Sequence, residues 1–215
     1  MNEEVKPNKN EAVEKEEKTL KFWQENKIFE KTLEKESPNG SFVFFDGPPF
    51  ATGLPHYGHI LAGTIKDAIP RYQTMRGKSV RRIWGWDCHG LPIEAKIEEK
   101  YRQKGIQKDS LPLLQFRQDC RDFANHWIDV QREQFKRLGV TGDWDHPYTT
   151  MTHEAEADIV RLLGIFLMNG SLYRGFKPVM WSVVEKTALA EMEIEYMDHE
   201  SLSLYVRFPI TQTPL

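Results

Sequence analysis

Two histidines three residues apart, in His56-Tyr57-Gly58-His59, stand directly after the Gly- and Pro-rich run Asp46-Gly-Pro-Pro-Phe-Ala-Thr-Gly-Leu-Pro55. At a helix start this spacing puts both imidazoles on one edge, beside free backbone N–H groups and the positive end of the helix dipole. Such a terminus receives phosphate, and two ring donors there can stabilise charge that builds on phosphoryl oxygens in a transition state. Gly58 removes a side chain where a flat ring could approach the backbone. The competing readings are a helix cap or surface pair, and a two-histidine metal site that lacks a nearby acidic or Cys partner.

A second group lies at Gly85-Trp86-Asp87-Cys88-His89-Gly90. Asp87 can cap the helix that begins after Gly90. Cys88 and His89 invite a nucleophile or metal reading, but no second Cys or base stands near enough to activate either. Trp84 and Trp86 read as core or pocket wall, with stacking on a ligand as the alternative. Arg71, Arg76, Lys78, Arg81 and Arg82 form a basic cluster, either a solvated face or a contact for nucleic-acid phosphates.

The elements that must position these groups follow from periodicity. Residues 1 to about 10 read as a polar tail. Helix formers with Leu20, Phe22, Trp23, Phe29 and Leu33 as an apolar stripe predict two helices, from Glu11 to about Asn26 and from about Lys27 to Glu36, closed by the turn Ser37-Pro38-Asn39-Gly40. Ser41 to Phe45 is a short apolar run expected of a buried parallel strand, and the loop after it is where an open α/β sheet places its ligand. The helix opened by the histidines should be kinked or broken at Pro70. Lys78 to Trp84 reads as a second strand, residues 85–90 as its loop, and Leu91-Pro92 as the start of a helix. Strand, loop and helix thus occur twice, the parallel βαβ pattern. Leu111 to Leu138 is a long amphipathic helix, residues 142–147 a loop, and Thr152 to Asn169 a helix capped by Thr152 and ended at Gly170. From Pro178 the pattern turns extended, with strands expected at 178–184, 190–196 and 202–208.

Composition sets the outer bounds. The chain has 215 residues, 40% hydrophobic and 12% aromatic, enough for a real core. A net charge of −3 argues against a small, wholly basic nucleic-acid module. Two cysteines, Cys88 and Cys120, are too few for a disulfide framework and fit a reducing compartment. With no secretory signal and no long apolar run, a cytoplasmic protein without membrane association is expected.

The run Asp46 to His59 resembles the first signature of class I aminoacyl-tRNA synthetases, and Gly85-Trp-Asp-Cys-His-Gly-Leu-Pro-Ile-Glu94 resembles the matching element of the isoleucyl-tRNA synthetases. Valyl enzymes are similar in the first run but carry Asp-His-Ala-Gly in the second, and leucyl enzymes carry Asp-Ala-Phe-Gly. Thr52 replaces the Asn of the common bacterial spelling and is similar to the eukaryotic-like branch. The likeness runs from the N-terminal helices to the Tyr205-Val-Arg-Phe-Pro209 segment.

The resemblance implies an α/β fold. It would be the N-terminal half of a Rossmann-type, HUP-like parallel sheet with N-terminal helices and the start of a β-rich editing insertion. The implied domains are 1–40 for the tail and helices, 41–198 for the first half of the catalytic domain, and 199–215 for the start of the editing domain. It implies activation of L-isoleucine by ATP, accompanied by Mg²⁺, and transfer to tRNA(Ile) by an enzyme that is monomeric when complete. By the same likeness His56 and His59 are catalytic. Pro49, Phe50, Thr52, Gly53 and Gly58 join them in binding ATP, and Gly47, Pro48 and Asp87 hold the amino acid. No zinc knuckle is expected, because residues 181–189 lack the Cys pair of several relatives. The family's Lys-Met-Ser-Lys-Ser loop is also absent, so the expectation is an N-terminal portion inactive by itself. The alternatives are a valyl-type enzyme and a noncatalytic nucleotide- or tRNA-binding paralogue.

Overall fold

The computed structural model describes residues 10–211, so the expected polar tail lies outside the described residues apart from Asn10. Asn10 is a helix cap: its Oδ1 accepts the Ala12 N–H at 3.1 Å, and Glu11 and Glu14 follow in the first turn, where the dipole favours them. This starts α1 (Glu11–Glu25), which is followed through left-handed Lys27 by α2 (Ile28–Glu34). Both helices are fastened by cations: Arg71 lies 5.1 Å over the Trp23 ring, Arg82 lies 5.7 Å over Phe29, and Arg137 pairs with Glu16 at 3.0 Å.

The chain forms two compact units, one up to Leu172 and one from Tyr173. The first is built as parallel segments alternating with helices. α3 (Tyr57–Met75) leads to β1 (Ile83–Trp86), α4 (Leu91–Arg102) and the long α5 (Leu113–Arg137) lead to β2 (Asp143–Thr149), and α6 (His153–Met168) follows. β1 pairs in parallel with β2, and on its other side residues 41–51 run parallel to it through bridges at Ser41–Ser79 and Phe50–Asp87. The parallel α/β architecture read from the sequence is therefore present.

Four local expectations are corrected. Residues 41–45 are no buried strand: Val43 and Phe45 are about 85% exposed, and Pro48 and Pro49 deprive the segment of ladder donors, so pairing survives only at its ends. The second strand begins later than expected and includes Gly85 and Trp86. A Cβ at Gly85 would stand 3.1 Å from the Tyr148 carbonyl and 3.3 Å from Pro48 Cβ, so the glycine lets three segments close together. Residues 143–147, expected as a loop, belong to β2; a register shift between its pairings with Ile83 and Gly85 absorbs Pro147. Helix α3 continues through Pro70, which is fully buried, while Thr74 Oγ1 donates to the Pro70 carbonyl at 2.9 Å.

The core of this unit joins Ala51, Trp84, Trp86, Ile93, Val140 and Met151 to the stripe Ala124, Ile128 and Phe135 of α5. Trp84 meets Phe44 edge-on at 5.3 Å and stacks on Trp144 at 5.7 Å, so the packing reading of the tryptophans holds. In the second unit β3 (Trp181–Ser182) and β4 (Thr187–Ala188) form a short antiparallel hairpin, with a 3₁₀ turn at Glu191–Glu193. The three longer strands expected after residue 178 are not formed. Alternation alone does not make a strand, and among the described residues nothing pairs with 202–208. Residues 212–215 lie outside the described residues.

Candidate active site

His56 and His59 cap α3 with each other's help. His56, extended at φ −99°, turns its ring back so that Nδ1 accepts the Gly58 N–H at 3.0 Å, and His59 Nδ1 accepts the His56 N–H at 3.3 Å. This is a capping box made of two imidazoles, whose ring centroids lie 3.9 Å apart. The cap reading and the donor reading are thus compatible, with one correction: the Gly58 N–H is already occupied. With Nδ1 accepting, each neutral ring carries its proton on Nε2, and the pair presents two Nε2–H donors at the helix start. Burial first, then the charges of His56 and Lys66, push His59 below its ordinary pKa, in keeping with its acceptor role. Gly58 has a local reason as well. A Cβ there would stand 2.8 Å from His56 Cε1 and force the ring off its cap.

The loop before the helix is held from below at both ends. Asp46 is buried; its Oδ2 accepts the Gly85 N–H at 3.1 Å and its Oδ1 pairs with Lys66 at 2.7 Å. Lys66 also donates to the Gly47 carbonyl at 2.7 Å. At the far end Gln131, 1% exposed, donates Nε2 to the carbonyls of Gly53 at 2.9 Å, Phe50 at 3.1 Å and Thr52 at 3.4 Å. Gly53 needs its positive φ of 67° to turn in this loop. Asp46, Lys66 and Gln131 were not singled out in the sequence. Gln131 left a signal: it is a polar residue on the buried α5 stripe that also carries Ala124, Ile128 and Phe135.

Asp87 joins this loop through its backbone, donating N–H to Pro49 at 2.8 Å and accepting from Ala51 at 2.9 Å. Its Oδ1 takes Thr150 Oγ1 and the His89 N–H, each at 3.4 Å. It does not cap α4, whose N-cap is Gly90 with φ 86° and no side-chain bond. Pro49, Phe50 and Asp87 are therefore adjacent. Asp46, Pro49, His59, Lys66, Gly85 and Trp86 help to line a cavity of about 40 Å³, room for a water rather than a substrate.

The neighbouring groups lose their catalytic readings. Cys88 is buried, its thiol pushed up by burial and set 3.5 Å from the Trp86 carbonyl; it behaves as a small core residue. His89 Nε2 pairs with Glu156 at 3.3 Å rather than serving Cys88. The basic cluster is dispersed. Arg82 is buried and bonded to Thr74 and Thr141, so it belongs to no solvated face or phosphate surface, and Arg71 is engaged by Asp67 and the Gly139 carbonyl. Among the described residues no three His, Cys, Asp or Glu side chains are grouped to hold a metal ion, and no helix is long and apolar enough to cross a membrane.

The chain is similar to known proteins. Residues 18–211 match the family described as tRNA synthetases class I (I, L, M and V). The isoleucine–tRNA ligase of Bradyrhizobium diazoefficiens is 52% identical over 203 residues, which cover 92% of this chain and 20% of that protein. The isoleucine–tRNA ligase of Pelagibacter ubique is 50% identical over 199 residues, 93% of this chain and 22% of that protein. The chain thus spans about a fifth of the length of the curated relatives it matches. Among solved structures, the ternary complex of Agrobacterium radiobacter K84 agnB2 LeuRS with tRNA and LeuAMS is similar with a TM-score of 0.62. That match has 25% identity and covers 85% of this chain and 21% of that one.

Proposed function

The chain belongs to the class I tRNA synthetases, and from that premise we propose that it is the nucleotide- and amino-acid-binding portion of an isoleucine–tRNA ligase. The observation that carries the reading is the identity of about half of its residues with proteins of that name across more than nine-tenths of its length.

The substrates are L-isoleucine, ATP taken as its magnesium complex, and tRNA(Ile). Isoleucine sets its ammonium group on Asp87, whose Oδ1 is oriented by Thr150 and the His89 N–H, and its side chain against Gly47 and Pro48. A carboxylate oxygen attacks the α-phosphate in line. The new O–P bond gives isoleucyl-adenylate, and the bond to the β-phosphate breaks with its electron pair leaving on pyrophosphate. The Nε2–H groups of His56 and His59 receive the growing charge, fixed in advance by their capping bonds. Pro49, Phe50, Thr52 and Gly53 line the nucleotide, with Gly58 beside the adenine. A terminal ribose hydroxyl of tRNA(Ile) then takes the acyl group. Residues 199–215 lead into a hydrolytic editing domain, required because one methylene gives too little discrimination in an apolar pocket. The complete enzyme acts as a cytoplasmic monomer.

The test is amino-acid-dependent exchange of pyrophosphate into ATP by the full-length protein. Exchange should be driven by isoleucine at low concentration and by valine only at a much higher one. Preference for valine would make it a valyl-type enzyme, and no exchange with any amino acid would favour a noncatalytic paralogue.

A further inference from the structure

Gln131 makes hydrogen bonds to four partners from one side-chain amide, its two Nε2 hydrogens shared among three carbonyls. Its Oε1 accepts the Trp86 indole N–H at 2.9 Å, while Nε2 serves the carbonyls of Phe50, Thr52 and Gly53. Trp86 immediately precedes Asp87, and Asp87 is itself bonded by its backbone to Pro49 and Ala51. One side chain on α5 therefore ties the residue before the ammonium partner to the turn before the histidines. Stability alone does not explain a Gln at this position. It faces the core between Ile128 and Phe135, where an apolar residue would satisfy the stripe. Among side chains of this length and shape, Gln supplies a donor and an acceptor together: ionised Glu keeps an acceptor for Trp86 but sets negative charge against three carbonyls, and Met satisfies neither side.

We propose that Gln131 is a positioning residue that holds the Phe50–Gly53 turn in its nucleotide-receiving shape and registers it against the strand end carrying Asp87. This inference rests on the synthetase reading of that turn. Gln131 touches neither substrate; it acts through the backbone of residues 50–53 and through Trp86. Loosening the turn changes where ATP sits relative to the attacking carboxylate, and small misplacement weakens in-line attack steeply.

The experiment compares Gln131→Met and Gln131→Glu with Ile128→Val in the full-length protein. Ile128 lies on the same buried stripe and, having no polar side-chain atom, hydrogen-bonds neither the turn nor Trp86, and so reports what core damage alone does. Isoleucine-dependent pyrophosphate exchange is measured with ATP and isoleucine varied separately, alongside thermal unfolding. For both Gln131 variants the expected result is a KM for ATP raised at least tenfold and a lower kcat, with KM for isoleucine within about threefold of wild type. Ile128→Val should lower the melting temperature and leave both KM values alone. A Gln131→Met protein with wild-type KM for ATP and wild-type kcat overturns the inference while the synthetase reading stands. An equal rise in KM for ATP in Ile128→Val reduces Gln131 to a core residue and also overturns it. A wild-type protein without exchange removes both.

Discussion

In the proposed reaction His59 serves structure and chemistry with different atoms. Its Nδ1 receives the His56 N–H, and its Nε2 is left to donate outward. Because its pKa is lowered in the fold, the unfolded chain binds the proton more readily. Stability therefore falls as pH drops below about 6.5, the ordinary histidine value, and is regained above it. His59→Gln keeps an acceptor at the third helical position without titrating. Thermal unfolding between about pH 5 and 8 should show wild type losing more stability on acidification than this variant; parallel curves would detach His59 from the effect. Asp87→Asn tests the other pole of the site. Asn can still accept from Thr150 and the His89 N–H, so the fold should hold, while the charge we propose for the isoleucine ammonium group is gone. Isoleucine affinity should fall by about 10- to 100-fold with ATP affinity unchanged, as titration calorimetry would read. A loss confined to ATP would move Asp87 to the nucleotide side.

At the scale of elements, the helices were legible because their caps and stripes are local: Thr152 accepts from Ala155 at the start of α6, and Pro92 stands in the first turn of α4. The strands were less so. β2 has no apolar alternation and contains Pro147, yet it pairs, with Thr149 opposite Trp86 and Trp144 stacked on Trp84. Residues 41–45 look like a strand and fail for want of a covering layer over Val43 and Phe45. The candidate site was half legible for the same reason. The two histidines announce themselves by type and spacing and Asp87 by the resemblance, whereas Asp46, Lys66 and Gln131 matter through partners 19 to 81 residues away. Gly142 is another such position. A Cβ there would run into the Trp84 indole and stand 2.9 Å from the Arg82 carbonyl, both held in the core. Gly142→Ala should cost about 1–3 kcal/mol in denaturant unfolding. An unchanged midpoint would mean that the contact between β1 and the turn before β2 yields more easily than its packing implies.

Across the whole molecule, the first unit holds one loop by polar bonds along its length. Asp46 and Lys66 hold one end, Gln131 holds the other, and Asp87 pairs with its middle. Such preorganisation is what a phosphoryl-transfer site needs, since little covalent chemistry is left to the protein. Elsewhere α6 has no buried residue, and its apolar side chains, among them Leu162, Leu163 and Phe166, are more than half exposed. The site is therefore best judged in the full-length protein. The most direct measurement is isoleucine-dependent pyrophosphate exchange there by His56→Ala and His59→Ala, with isoleucine affinity determined on the same samples. Donors that matter chiefly in the transition state predict exchange lowered by about 100-fold or more in each variant while isoleucine binding changes by less than about threefold. Wild-type exchange in both variants would contradict the assignment of the imidazole pair to the phosphates, and with it the account of the site.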